Sequence, residues 1–142
     1  MEKSCGVVLF NEQKVLLLQY AKGQKEGEWD LQGHWDFPKG HVDKGETEIE
    51  TATRELEEET GIKNIILLDN FRKTINYKIQ KRDRKISKEV VFFIATTAET
   101  EINLSHEHVD YAWFDFTSAL KQLTYDNARS VLSEAIIFYE KI

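Results

Sequence analysis

The chain has 142 residues, 41% hydrophobic and 31% charged, with a formal net charge of −6. This composition predicts one globular domain, residues 1–142, with a real core, and the negative balance argues against nucleic-acid binding driven by the field of the whole protein. No long apolar run suggests a signal peptide or a spanning helix, and the lone Cys5 cannot make an internal disulfide, so no membrane and a reducing, cytoplasmic setting are expected.

Lys3 to Phe10 and Lys14 to Tyr20 are apolar, β-rich runs separated by Asn11-Glu12-Gln13, which predicts an opening hairpin. Ala21 to Gly33 is polar and rich in Lys and Gly, a surface loop able to line the mouth of a site. His34 to Lys39 reads as one short strand whose proline must lie at an edge or a strand end. Thr47 with Glu50 forms a capping-box signal, and Gly61 followed by Ile62 is a stop. A helix is therefore predicted from Glu48 to Thr60, with Ile49, Ala52 and Leu56 on its apolar stripe. Asn64 to Asp69, Phe71 to Lys78, Val90 to Ala98 and Glu101 to Leu104 read as extended. Ser105 to His108 is a polar loop, and Tyr111 to Phe116 returns as strand. From Thr117 to Leu123 and from Asp126 to Lys141 the period becomes helical, with Val131, Ala135, Ile136 and Tyr139 on one stripe. The pattern gives a mixed sheet between helices, of α/β or α+β type.

Between Glu46 and Glu59 stand seven glutamates and a single basic residue, Arg54. On the predicted helix Glu55, Glu58 and Glu59 share a face at i, i+3 and i+4. Such carboxylates repel one another, whereas a hard divalent cation takes oxygen ligands of this kind. Charge alone also permits a solvated acidic face. The wider spacing decides: Gly40, five residues, Glu46, seven residues, then Arg54-Glu55-Leu56-Glu57-Glu58-Glu59-Thr60-Gly61-Ile62. A coincidence of seven fixed residue types is expected on the order of once in 10⁸ starting positions. The stretch resembles the signature of the Nudix hydrolases. That resemblance implies the αβα sandwich of the Nudix fold and hydrolysis of a nucleoside diphosphate linked to another moiety.

His34-Trp35, Phe37-Pro38-Lys39-Gly40-His41-Val42, Asn76-Tyr77, Lys88-Glu89-Val90, Leu104-Ser105 with Glu107-His108, and Tyr111 with Trp113 resemble, in this order, the asymmetrical diadenosine tetraphosphate (Ap4A) hydrolases. The hairpin between Tyr77 and Lys88 is longer than in the animal-type enzymes, and the C-terminal helix matches loosely. The resemblance implies Mg²⁺ or Mn²⁺ held by Glu55, Glu58 and Glu59, with the Gly40 carbonyl and Glu107 as further ligands. Glu58, with Glu107 second, would position or deprotonate the attacking water. Arg54, with Glu50 and Glu58 at i−4 and i+4, would orient carboxylates, and Glu46 would stand behind them. His34 and Lys39 would meet the phosphate chain, and Tyr77 and Tyr125 would sandwich an adenine; packing roles are open to His34 and both tyrosines. The basic run Lys81 to Lys85 with Lys88 is open between solvation and substrate contact, with Lys85 and Lys88 as the substrate candidates. The expected partners are small-molecule nucleotides, Ap4A with its products ATP and AMP, acted on by a monomer. Rival readings are an RNA 5′-pyrophosphohydrolase, a sanitiser of damaged nucleoside triphosphates and a non-catalytic nucleotide sensor.

Overall fold

The computed structural model describes residues 2–22 and 33–142, the side chain of Lys81 excepted. Among them eight strands join one mixed sheet: β1 (Glu2–Asn11), β2 (Lys14–Tyr20), β3 (Trp35–Asp36), β4 (Lys39–His41), β5 (Ile66–Leu67), β6 (Lys73–Lys81), β7 (Arg84–Thr96) and β8 (His108–Asp115). Helices α1 (Glu48–Thr60), α2 (Phe116–Gln122) and α3 (Asp126–Glu140) complete the chain. β1 is the hub, parallel to β7 along Glu2–Phe10 and antiparallel to β2 and β4. β2 carries the sheet on to β3 and β8, and β7 carries it to β5 and β6.

Both faces of β1 are covered, which is why it reads as an unbroken apolar run. Cys5, Val7 and Leu9 pack with Ala52 and Leu56 of α1. Val8 and Phe10, pointing the other way, pack with Ala119 of α2 and Val131, Leu132 and Ala135 of α3. The molecule is therefore an αβα sandwich with a mixed sheet, the architecture expected from the sequence. None of its described helices is long and apolar enough to cross a membrane.

α1 has the expected ends. The Thr47 hydroxyl accepts from the Glu50 amide, the Glu50 side chain accepts from the Thr47 amide, and Gly61 caps the C-terminus in the left-handed region at φ 78°. The buried face differs from the expected stripe. Ile49 is 46% exposed, while Thr51, Glu59 and Thr60 are buried with Ala52 and Leu56. The threonines tolerate this because their hydroxyls are answered locally: Thr60 Oγ1 donates to the Leu56 carbonyl at 2.6 Å, and Thr51 Oγ1 donates to Glu46 Oε1, in the turn before the helix, at 2.9 Å.

Four other expectations are corrected. His34 to Lys39 is not one strand: Phe37 and Pro38 separate β3 from β4, and the Pro38 carbonyl accepts from the Val7 amide at 3.1 Å. Glu101 to Leu104 forms no strand. It caps α1 instead, with the Asn103 amide on the Thr60 carbonyl at 2.9 Å and the Ser105 amide on that of Glu59 at 3.3 Å. β8 begins at His108, ahead of Tyr111, through pairing with Tyr20. β6 and β7 run further than the apolar pattern suggests, since Gln80 pairs with Lys85 and Lys81 with Arg84 around a two-residue turn in which Arg82 has φ 56°. Of the expected loop Ala21 to Gly33, residues 23–32 lie outside the described residues.

Candidate active site

Arg54 orders the acidic face of α1. Its Nε and Nη2 grip Glu46 at 2.7 and 3.0 Å, Nη1 reaches Glu55 at 2.8 Å and Glu58 at 3.2 Å, and Nη2 also donates to the His41 carbonyl at 2.9 Å. Glu50, the partner suggested by i−4 spacing, is occupied as the capping-box acceptor of Thr47. Glu46 takes its place because the turn before the helix folds it back, its amide on the Asp43 carbonyl at 3.0 Å. The guanidinium holds the Glu46 carboxyl well down, at about 2.

Glu55 and Glu59 point inward while Glu58, 57% exposed, stays at the surface beside Arg54. A Cβ at Gly40 would land on the Glu55 carboxylate, so only glycine lets β4 approach the helix this closely. Glu59 is 4% exposed and accepts the Lys39 amide at 2.9 Å. Burial pushes its carboxyl up to about 9, and the charges of Glu55 and Glu107 add to this against the pull of Lys39. Burial also raises Glu55, opposed by Arg54. Among the described residues no three acidic, imidazole or thiol groups are already gathered round one point. The donor set nevertheless fits a hard divalent cation: of two mutually repelling, largely buried carboxylates, Glu55 packs on the side-chain-free Gly40 backbone and Glu59 on the adjoining Lys39 amide, with the charge of Glu107 raising both.

Lys39 joins this cluster to a cleft. Its amide serves Glu59, while its side chain, 3.6 Å from Asp36 Oδ2, lines a cavity of about 180 Å³ with His34, Tyr77, Lys78, Tyr125 and Asn127. The elements converge for local reasons. The Trp35 amide donates to Thr124 Oγ1 at 2.9 Å, tying β3 to the α2–α3 turn and setting the Tyr125 ring 5.6 Å from that of His34. His34 in turn stacks on the buried Tyr20 at 4.4 Å. Tyr77 comes from β6, where it pairs with Lys88.

The structure thus brings His34, Lys39, Tyr77 and Tyr125 together, and places Gly40, Glu55 and Glu59 beside them. Lys88 is buried, its Nζ 3.3 Å from His41 Nε2, next along β4 from Gly40. Lys85 does not reach the cleft; it is exposed at the hairpin end opposite Gln80. The exposed Glu107 stands near the cluster through its backbone, whose carbonyl accepts the Ala21 amide at 3.1 Å. Tyr20, Asp36, Lys78 and Asn127 were not legible as site residues. Asp36 three residues before Lys39 was the one local signal, while Tyr20 joins through strand pairing alone.

The NUDIX domain model matches residues 2–135, and the chain belongs to the Nudix family of hydrolases. The asymmetrical bis(5′-nucleosyl)-tetraphosphatase of Rattus norvegicus is 34% identical over 146 residues, spanning 93% of this chain and 91% of the rat protein. The RNA pyrophosphohydrolase of Pelagibacter ubique is 30% identical over 128 residues, 81% of this chain and 77% of its own. Among solved structures, the C. elegans Ap4A hydrolase binary complex superposes with a TM-score of 0.83 at 27% identity, covering 100% of both chains.

Proposed function

We propose that this hydrolase cleaves dinucleoside polyphosphates, splitting Ap4A into ATP and AMP by attack of water on phosphorus. The convergence of His34, Lys39, Tyr77 and Tyr125 on one cleft, beside the Gly40–Glu55–Glu59 cluster, carries this reading. At about 180 Å³ the cleft is smaller than the roughly 300–1,000 Å³ that enclose a whole ligand, so it suits a base and the adjoining phosphates. The rat and C. elegans relatives support the substrate class.

In this reading Tyr77 and Tyr125, from two different elements, stack on the adenine and fix the register of the phosphate chain. Lys39 and His34 bind that chain, with Lys88 of β7 reaching toward it beside His41. Glu55, Glu58, Glu59, Glu107 and the Gly40 carbonyl would hold Mg²⁺ or Mn²⁺. When bound, such an ion neutralises phosphate charge and acidifies water. Glu58, steered by Arg54, takes the proton of the attacking water, with Glu107 the second candidate. Because the base pocket fixes the register, one phosphorus meets water, and the longer, better-stabilised ATP side departs. We place the enzyme in the cytoplasm as a monomer, in keeping with its single free cysteine.

Hydrolysis in ¹⁸O-water with mass spectrometry tests this: ATP and AMP form, with label in AMP. Label in ATP reverses the direction of attack, and ADP as the main product removes the asymmetrical reading. The exposed Arg82, Arg84 and Lys85 of the hairpin, with the Pelagibacter ubique relative, favour a second reading, RNA 5′-pyrophosphohydrolysis. Faster turnover of triphosphorylated RNA than of Ap4A in the same assay would replace the first reading by the second.

A further inference from the structure

His108 opens β8 and lies sealed in the interior, its side chain 0% exposed. Tyr20 closes one side, its ring meeting the imidazole edge-on at 4.3 Å. Nδ1 is 3.1 Å from the Ser105 hydroxyl. Among the described residues Nε2 has no hydrogen-bond partner; it faces Glu59 Oε2 at 3.9 Å. The other oxygen of that carboxyl, Oε1, already accepts the Lys39 amide at 2.9 Å. A polar ring atom shut away from water and left unpaired is rare in folded proteins and asks for a reason.

The reason follows from the chemistry of the pair. A neutral imidazole has one proton to place, on one ring nitrogen or the other. A carboxylate that holds a cation can only accept hydrogen bonds. Facing such a carboxylate, Nε2 must carry the proton, and Nδ1 must then accept from the Ser105 hydroxyl. The 3.9 Å separation is longer than a hydrogen bond. Contacts of this kind are often long in an unliganded site and tighten when it is filled.

We propose that Ser105 and His108 act as a positioning pair: the Ser105 hydroxyl fixes the imidazole tautomer, and His108 Nε2–H holds Glu59 so that its carboxylate faces the cation beside Glu55 and Gly40. This rests on the reading of Glu59 as a cation ligand. Neither residue touches substrate. The pair uses the segment that caps α1, since the Ser105 amide bonds the Glu59 carbonyl at 3.3 Å while its hydroxyl serves His108. One serine therefore fixes both the backbone of Glu59 and the partner of its side chain.

The test is Mn²⁺ binding to the substrate-free protein, by electron paramagnetic resonance or calorimetry, in the parent and in two variants. His108→Phe keeps the ring volume without the donor and should bind Mn²⁺ at least about 10-fold more weakly, the usual cost of losing an outer-shell partner. His108→Gln places an amide N–H near the Nε2 position and should return affinity to within about threefold of the parent, a rescue that lost packing alone would not give. Equal affinity in His108→Phe and the parent, or equal weakening in both variants, overturns the pairing. A parent that binds no Mn²⁺ instead overturns Glu59 as a ligand, so the two failures are distinguishable. Should His108→Phe not fold, the imidazole ¹H–¹⁵N correlation of the Mg²⁺-saturated parent decides: the proton is expected on Nε2, and a proton on Nδ1 overturns the inference.

Discussion

Arg54 holds three glutamates, so single-residue effects around it should divide cleanly between chemistry and support. Glu58 is exposed and its removal buries nothing; Glu58→Gln should therefore lower kcat by at least about 10²-fold while the melting temperature holds, measured by steady-state kinetics beside a thermal scan. A variant within a few-fold of the parent would move the base role to Glu107. Tyr77 lines the cleft and also packs against the core. If it stacks on adenine, Tyr77→Ala should raise KM by an amount worth roughly 1–3 kcal/mol with kcat little changed, and Tyr77→Phe should be mild. Loss of folding without a specific KM effect would assign Tyr77 to packing. The gathering of Glu55, Glu58 and Glu59 along one side of α1 was legible because a helix face is written at i, i+3 and i+4. Glu46 as the bidentate partner of Arg54 was not, because helical spacing says nothing of a residue folded back by the preceding turn.

α1 is positioned from outside as well as by its buried face. Glu48 in its first turn takes Arg72 Nε and Nη2, each at 2.8 Å, together with Lys3 of β1. Arg72 first, and Lys3 after it, hold the Glu48 carboxyl down to about 2 from 4.5. A carboxyl depressed in the folded state adds stability above its unfolded value, and that stability is lost as pH falls through the folded one. Glu48→Gln should thus cost about 1 kcal/mol near neutral pH, discounted for solvent screening. In urea titrations across pH the difference should shrink between about 4.5 and 2; a constant difference would show that the charge is irrelevant. The ends of α1 were legible from Thr47, Glu50 and Gly61 because caps are local. Its buried face was not. Ile49 lies over a shallow hollow with Leu67, Leu68, Phe71 and Phe93, and three polar residues buried in the helix look like surface when only hydrophobicity is counted.

At the scale of the whole molecule, the site holds charge that the fold would shed. A carboxyl raised to about 9 costs stability once pH exceeds its unfolded value, so Glu59→Gln should raise the melting temperature of the metal-free protein at neutral pH. The parent should gain roughly 5–10 °C with Mn²⁺ at a hundred times its Kd, and the variant should gain far less, both read by scanning fluorimetry. A large shift in the variant would remove Glu59 from the ligand set. The layer architecture was legible because β1, α1 and α3 each carry an apolar pattern that needs a cover. Strand order was not, since register between segments some ninety residues apart leaves no local mark. That distance has its own consequence. β1 is made first, yet its parallel neighbour β7 ends only at Thr96, and nothing in the described chain between them pairs along that edge. During translation Val7, Val8 and Leu9 must therefore wait with an open, apolar edge, the kind of segment that aggregates when synthesis stalls. Nascent chains released before Arg84 should remain protease-sensitive, and those reaching past Thr96 should begin to resist.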